Sequence, residues 1–293
     1  MMALLHSRYW PGKLPGFLFL LTLLTTSHRL LAEPQLILII DDIGYNRALG
    51  QQTLELPGPL NLAFLPHTPF SRSLAEQAHQ SGHTVMLHAP MANKAQAKLG
   101  PGGLTEEMNP EQWRATLLDN IQAIPYVEGI NNHMGSQLTE NTEAMSVVMQ
   151  VLQQQGLFFV DSLTTAHSVA QREALKAGLP SLKRDIFLDH VAEEDAIQQQ
   201  LDKAIKRAQK RGISVAIGHP YPETLSVLKR ELPNLSQHNV SLVGASQYLK
   251  QHLWQDNIWN DNFWYGNQSD HFTPSKYQLQ PFHRPAFEAR TTH

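Results

Sequence analysis

The stretch LILIIDDIG, residues 36–44, decides how the chain is read. Five consecutive aliphatic residues after Pro34, stopped by Asp41-Asp42, describe a strand buried on both faces. Burying a pair of carboxylates is costly, so the end of such a strand faces a cleft at the carboxyl edge of the sheet. Successive strand residues point to opposite sides, but a turn at the strand end can bring both side chains into one site. There one carboxylate can bind a cation while the other holds or accepts a proton. The alternative is that Asp41 caps the following helix and Asp42 is solvated.

Outward from this stretch, strand and helix patterns alternate. Helices are expected over 46–56, 70–80, 110–125, 142–155, 169–177, 192–211, 224–231 and 245–252. Strands are expected over 60–65, 83–87, 127–130, 157–160, 185–188, 213–217 and 240–243. Gly82, Gly156 and Gly212 stand just past helix ends as stop signals, and Pro110 sits at a favoured early helical position. The loop through Gly103 is long enough to cover or bind rather than merely connect. This is the pattern of an α/β fold with a mainly parallel sheet.

The strand ends carry a second regularity. They finish in Asp41-Asp42, His67, His88, His133, Asp161, Asp189-His190 and His219. In parallel α/β architectures these ends converge on one face, where active sites sit. Carboxylate and imidazole groups gathered there make a divalent metal site. His88 and His133 are flanked by Pro, Gly and Asn, which fix tight turns; the alternative for each is a buried imidazole satisfied by backbone. His67, between two prolines, reads equally well as a turn residue. His219, before Pro220, suits a general acid or support for an oxyanion. His28, His167 and His238 have no such setting and read as surface residues. Gly135 and Ser136 either offer backbone donors near the site or simply open a helix.

Composition narrows the chemistry. The chain has 293 residues, a net charge of -3 and 15 histidines, a balance that argues against nucleic acid as a partner. With no cysteine, thiolate ligands, cysteine nucleophiles and disulfides are excluded. Any metal has nitrogen and oxygen ligands, which suit zinc or a harder first-row ion. Neither a Gly-x-Ser-x-Gly elbow nor a phosphate-cradling glycine loop occurs. Residues 1–32 have the three parts of an export signal: Arg8 and Lys13, then GFLFLLTLL at 16–24, then a small residue at Ala32. The expectation is a mature domain over 33–252 acting outside the cytoplasm, in the periplasm. Residues 253–293 lose periodicity and read as a poorly ordered tail, or one that packs only on an envelope partner.

Five motifs then carry a family resemblance: IIDDIG at 39–44, LHAPM at 87–91, NNHMGS at 131–136, VDS at 160–162 and IGHPYPETL at 217–225. Over about 34–249 the chain resembles a divergent polysaccharide deacetylase. That resemblance implies a distorted (β/α) barrel and a metal-dependent carbohydrate esterase, with zinc as the expected ion and a carbohydrate as the substrate. Carried over, Asp41 is the catalytic base, Asp42 a metal ligand, and His219, in Ile217-Gly218-His219, the assisting acid. The main family holds a second metal-binding His four residues after the first. Here His88 matches the first and Ala92 stands at the second, so His133 from the next strand end is inferred to complete the set of Asp42, His88 and His133. The main family's Arg-Pro motif is not visible near 131–136. Asp161 or Asp189 is expected to orient His219 or the substrate. The competing expectation is a non-catalytic envelope- or carbohydrate-binding protein that keeps the metal for shape.

Overall fold

The computed structural model describes residues 33–255. The segment read as an export signal, 1–32, lies outside the described residues, as does the tail beyond 255.

At the centre is β1 (Gln35–Ile43), flanked by β2 (Asn61–Phe64) on one side and β8 (Ile213–Gly218) on the other. Beyond β2 follow β3 (Thr84–Met91), β4 (Gly129–Met134), β5 (Phe158–Asp161) and β6 (Ser181–Lys183). Beyond β8 lies β7 (Ile186–Phe187), and β9 (Ser241–Leu242) pairs with the first two residues of β1. Every pairing is parallel. The sheet curls into the distorted (β/α) barrel expected for the sequence, open between β6 and β7.

The crossovers are helices: α1 (Arg47–Leu54), α2 (Ser71–Gln80), α3 (Pro110–Ala123), α4 (Thr142–Gln155), α5 (Ala170–Lys176), α6 (Glu194–Arg211) and α7 (Pro222–Glu231). Their boundaries have local causes. Asn109 and Gln112 form a capping box ahead of α3, with Pro110 in the first turn. Asn141 caps α4 through the Ala144 N–H, and Gly156 ends it at φ 68°, a conformation that costs glycine little. The charges of α6 run with its dipole, Glu194 and Asp195 in the first turn and Lys210 and Arg211 in the last.

Strand alternation sorts the core into two clusters. Leu36, Leu38 and Ile40 of β1 join Leu62, Phe64, Leu87, Ile130 and Phe159 on the outer face, under the helices. Ile37 and Ile39 join Ala63, Met86, Phe158, Val160, Val215 and Ile217 on the inner face. The last helix, α8 (Ala245–Gln255), contributes Tyr248 and Leu249 to this inner cluster. It begins beside the amino ends of the strands, where buried Asn61 donates to the Leu38 carbonyl and accepts from the Ala245 N–H at 2.7 Å. Its backbone continues three residues into the segment read as tail.

Two differences from the sequence reading matter for the site. The strands read as ending at 87 and 130 continue to Met91 and Met134, because β3 and β4 stay paired from Met86↔Gly129 to Met91↔Met134. His88 and His133 are therefore strand residues held by a ladder, not turn residues. The short strand β6 was not foreseen after the Gly178-Leu179-Pro180 break, where its three residues close the edge next to β5.

Candidate metal centre

Four of the strand-end residues converge because they share the inner face. On β3, His88 follows Met86 by two residues, and on β4 His133 follows Asn131 by two. His88 and Asn131 are direct partners in the ladder. On β8, His219 continues the series Val215, Ile217 just past the strand. Asp41 lies two residues beyond Ile39, so alternation also points it inward.

Asp42 should then point outward, and it does not. Its φ is +58°, a left-handed conformation that costs a non-glycine residue about 1–3 kcal/mol, although Asp tolerates it better than most. At the same point the β1–β2 register shifts. Ile40 pairs with Leu62 and Ile43 with Phe64, so β1 spends an extra residue between them. This bulge turns Asp42 back toward the cleft and brings both carboxylates to His88.

The resulting cluster is tight. Asp42 Oδ1 lies 2.8 Å from His133 Nδ1 and 3.1 Å from His88 Nε2, and these two nitrogens are 3.2 Å apart. Yet Asp42 Oδ1 is buried and has no hydrogen bond of acceptable geometry. Three lone-pair-bearing atoms facing one another, with a buried acceptor left unsatisfied, fit a divalent cation held by two nitrogens and one oxygen. Among the described residues this is the group of His and acidic side chains with that geometry. Ala92, where the main family has its second histidine, is spent on backbone: its carbonyl accepts from the Gln137 and Leu138 N–H groups.

Behind the cluster, Asp41 is 3% exposed, with Oδ2 at 3.7 Å from His88 Nε2 and Oδ1 accepting from Asn131 Nδ2 at 2.7 Å. His219 stands on the other side, its Nε2 3.8 Å from Asp42 Oδ2. Asp189 holds it firmly, accepting from the ring at Nδ1 (2.9 Å) and from the His219 backbone N–H (2.6 Å). Thr224 donates to the same carboxylate at 2.8 Å. Gly218 permits this approach, since a Cβ there would sit 3.2 Å from Asp189 Oδ2. Phe187 meets the His219 ring edge-on and Tyr221, partly exposed to solvent, stacks on it, each with centroids 5.4 Å away.

The remaining sequence candidates lie elsewhere. Asp161 shares its face with Phe159, on the outer side. Its oxygens accept from the Leu163 N–H and the Ser168 hydroxyl, so Asp189, and not Asp161, is the carboxylate at His219. His67 has φ +55° in an exposed turn and meets Asp119 and Asn120. His190, His167 and His238 are exposed. The Gly135 N–H is taken by the Met91 carbonyl, and the Ser136 hydroxyl accepts from the Lys94 N–H. Asn131 and Arg184 were not read as site residues. Arg184 lines the open seam over the Phe187 ring and donates to the Ser162 and Leu163 carbonyls.

Charge follows the geometry. Burial raises the pKa of Asp41 above the ordinary carboxylate value, outweighing the pull of His88, His219 and the Asn131 amide. Burial also pushes Asp42 upward, but the adjacent His133 and His88 rings prevail and hold it well below the ordinary value. For His88, burial favours the neutral ring, yet Asp41 and Asp42 push its pKa up to about 9. His219 is likewise raised, burial being outweighed by Asp189 and Asp41.

These shifts set an expected result for metal-free protein. A histidine raised from 6.5 to about 9 stabilises the fold fully below pH 6.5 and loses that contribution as pH rises through 9. The raised His219 acts in the same direction. Urea unfolding after chelator treatment should therefore show stability falling by about 3 kcal/mol between pH 6 and 10. Zinc should flatten or reverse the trend, because cation and proton compete for the same nitrogen. A metal-free stability that is flat or rising over that interval would show that His88 is not charge-paired in the fold.

Comparison with known proteins adds ancestry to this geometry. The family model described as divergent polysaccharide deacetylase matches residues 38–249. The uncharacterized protein YibQ of Escherichia coli K12 is 38% identical over 217 residues, which is 74% of this chain and 68% of that protein. An uncharacterized protein of Haemophilus influenzae is 35% identical over 241 residues, covering 82% of this chain and 84% of its own. Among solved structures, an uncharacterized protein of Agrobacterium tumefaciens C58 matches with a TM-score of 0.71 at 20% identity, covering 73% of this chain and 88% of its own. That last likeness is one of fold.

Proposed function

We infer the function from one premise: the chain belongs to the divergent polysaccharide deacetylase family. On that premise the protein is a metal-dependent hydrolase that removes acetyl groups from a carbohydrate of the cell envelope. The observation carrying this reading is the convergence of Asp42, His88 and His133 on one point, with Asp41 and His219 on either side.

Asp42, His88 and His133 would hold the cation. When bound, a zinc ion supplies Lewis acidity, making water more acidic and a carbonyl more electrophilic. The chain's own groups do the proton work. Asp41, buried and raised, accepts the proton of the attacking water at Oδ2, the oxygen left free by Asn131. His219 presents Nε2 to the leaving group, while Asp189 keeps its other nitrogen protonated and its ring fixed. The water oxygen bonds to the acetyl carbon and the C–N or C–O bond to the sugar breaks. Acetate leaves, and the proton on His219 goes to the amine or alcohol. Residues 1–32 support export, and with it a periplasmic site of action.

The test is metal analysis of the purified mature chain, paired with an acetate-release screen on N-acetylglucosamine oligomers, peptidoglycan fragments and O-acetylated glycans. Bound zinc with acetate release supports the hydrolase. Bound metal without turnover on any of these glycans favours a metal-containing carbohydrate- or envelope-binding protein. Absence of both defeats the reading.

A further inference from the structure

One fully buried polar side chain between the cation ligands and the base has no part in the chemistry above. Asn131 is 0% exposed and stands opposite His88 in the β3–β4 ladder. Its Oδ1 accepts from His88 Nδ1 at 2.8 Å. Its Nδ2 donates to Asp41 Oδ1 at 2.7 Å and lies 3.3 Å from the Ser162 hydroxyl. We propose that Asn131 is the positioning residue of the site, one amide that sets both the cation ligand His88 and the base Asp41. This proposal rests on the metal-dependent reading.

The two ends of an amide are chemically opposite, and both are used. With Nδ1 protonated toward Asn131, a neutral His88 must carry its lone pair on Nε2, the nitrogen 3.1 Å from Asp42 Oδ1. With the amide hydrogen on Asp41 Oδ1, the second carboxylate oxygen is left facing the cluster, 3.7 Å from His88 Nε2. Turning the amide over would set its oxygen against the Asp41 carboxylate and its NH2 against the His88 N–H. Both contacts would then repel, so the two partners fix the orientation between them.

No other side chain of this size does both jobs. Leucine has the shape and neither polar end. An ionised aspartate accepts from His88 but cannot donate to Asp41. The lever arm is short: Asn131 reaches His88 across the ladder and precedes His133 by two residues on the same face. A shift of this strand moves two ligands and the base together.

The experiment compares the full-length protein with its Asn131→Leu and Asn131→Asp variants. Zinc affinity is measured by competition with a chromophoric chelator, and the His88 ring N–H is followed by 15N NMR of zinc-loaded protein. Asn131→Leu should bind zinc about 10–100-fold more weakly, the usual cost of losing a ligand's supporting partner. Its His88 Nδ1–H signal should be lost to solvent exchange. Asn131→Asp should keep that signal and bind zinc more tightly than Asn131→Leu, yet release less acetate from N-acetylglucosamine oligomers, because the donor to Asp41 is replaced by an oxygen that repels it or shares its proton. Parental zinc affinity in Asn131→Leu overturns the proposal, and so does an equal loss in both variants, which is what lost packing alone would give. Should Asn131→Leu fail to fold, disappearance of the His88 signal in Asn131→Asp overturns it instead. A parent that binds zinc but releases no acetate defeats the hydrolase and leaves Asn131 to be judged on zinc alone.

Discussion

Asp41→Asn is expected to lower acetate release by about 10²–10⁴-fold while leaving zinc content unchanged, the usual share of a positioned general base. The substitution is close to isosteric, and the Asn131 amide can still donate to the new side-chain oxygen, as it does to Asp41 Oδ1. What is lost is the second oxygen's ability to take a proton. Asp41 approaches His88 Nε2 only at 3.7 Å, whereas Asp42 lies at 3.1 Å and also reaches His133, so the three side chains proposed to hold the cation should keep their arrangement. Asp42→Asn is the complementary variant: a neutral amide is the poorer ligand, and zinc should be lost with activity. Buried Ile37–Ile40 should keep β1 in place in both, which far-ultraviolet circular dichroism and thermal unfolding would verify. Undiminished turnover in Asp41→Asn would remove it from the reaction and leave the paired carboxylates a structural role.

How much of this could be read from the chain alone varied with the kind of information needed. The aliphatic run 36–40 announces a central parallel strand because burial on both faces leaves no polar position. The alternation that follows, with Gly156 and Gly212 ending helices where expected, determines the fold class. The site is less legible. That Asp41 and Asp42 share a cleft depends on a left-handed residue and a bulge, and neither has a compositional signature in DDIG. Asp161 and His219 look alike as strand-end residues, but strand parity sends one outward with Phe159 and the other inward after Ile217. Sequence shows the alternation without saying which face is which. His67, which the sequence left open between site and turn, is a turn residue for a local reason, being anchored to Asp119 and Asn120 on α3. Asn131 escaped notice because an amide has no chemistry of its own. Its spacing of two from His133 was the available signal, since residues two apart on a strand share a face.

His88→Ala and His133→Ala should each lose bound zinc, whereas His238→Ala, at an exposed position, should not. Removing one of three ligands should cost more than the about 10–100-fold that follows loss of a supporting partner. The two variants should differ in a second respect. His88 is buried, and its ring stands against both carboxylates. Truncation there leaves a cavity and sets Asp41 beside Asp42 with the intervening positive charge gone, so the metal-free fold should weaken at neutral pH. His133 has its side chain 16% exposed and contacts Asp42 alone of the two. Its truncation should remove zinc with little change in metal-free stability, which makes it the cleaner test of ligation. Chelator competition reports the first effect and urea unfolding of metal-free protein the second. Full zinc occupancy in His133→Ala would break the three-ligand assignment, because Ala92 leaves no imidazole at the neighbouring position to replace it. Parental stability of metal-free His88→Ala at pH 7 would instead mean that the two carboxylates do not need His88 between them.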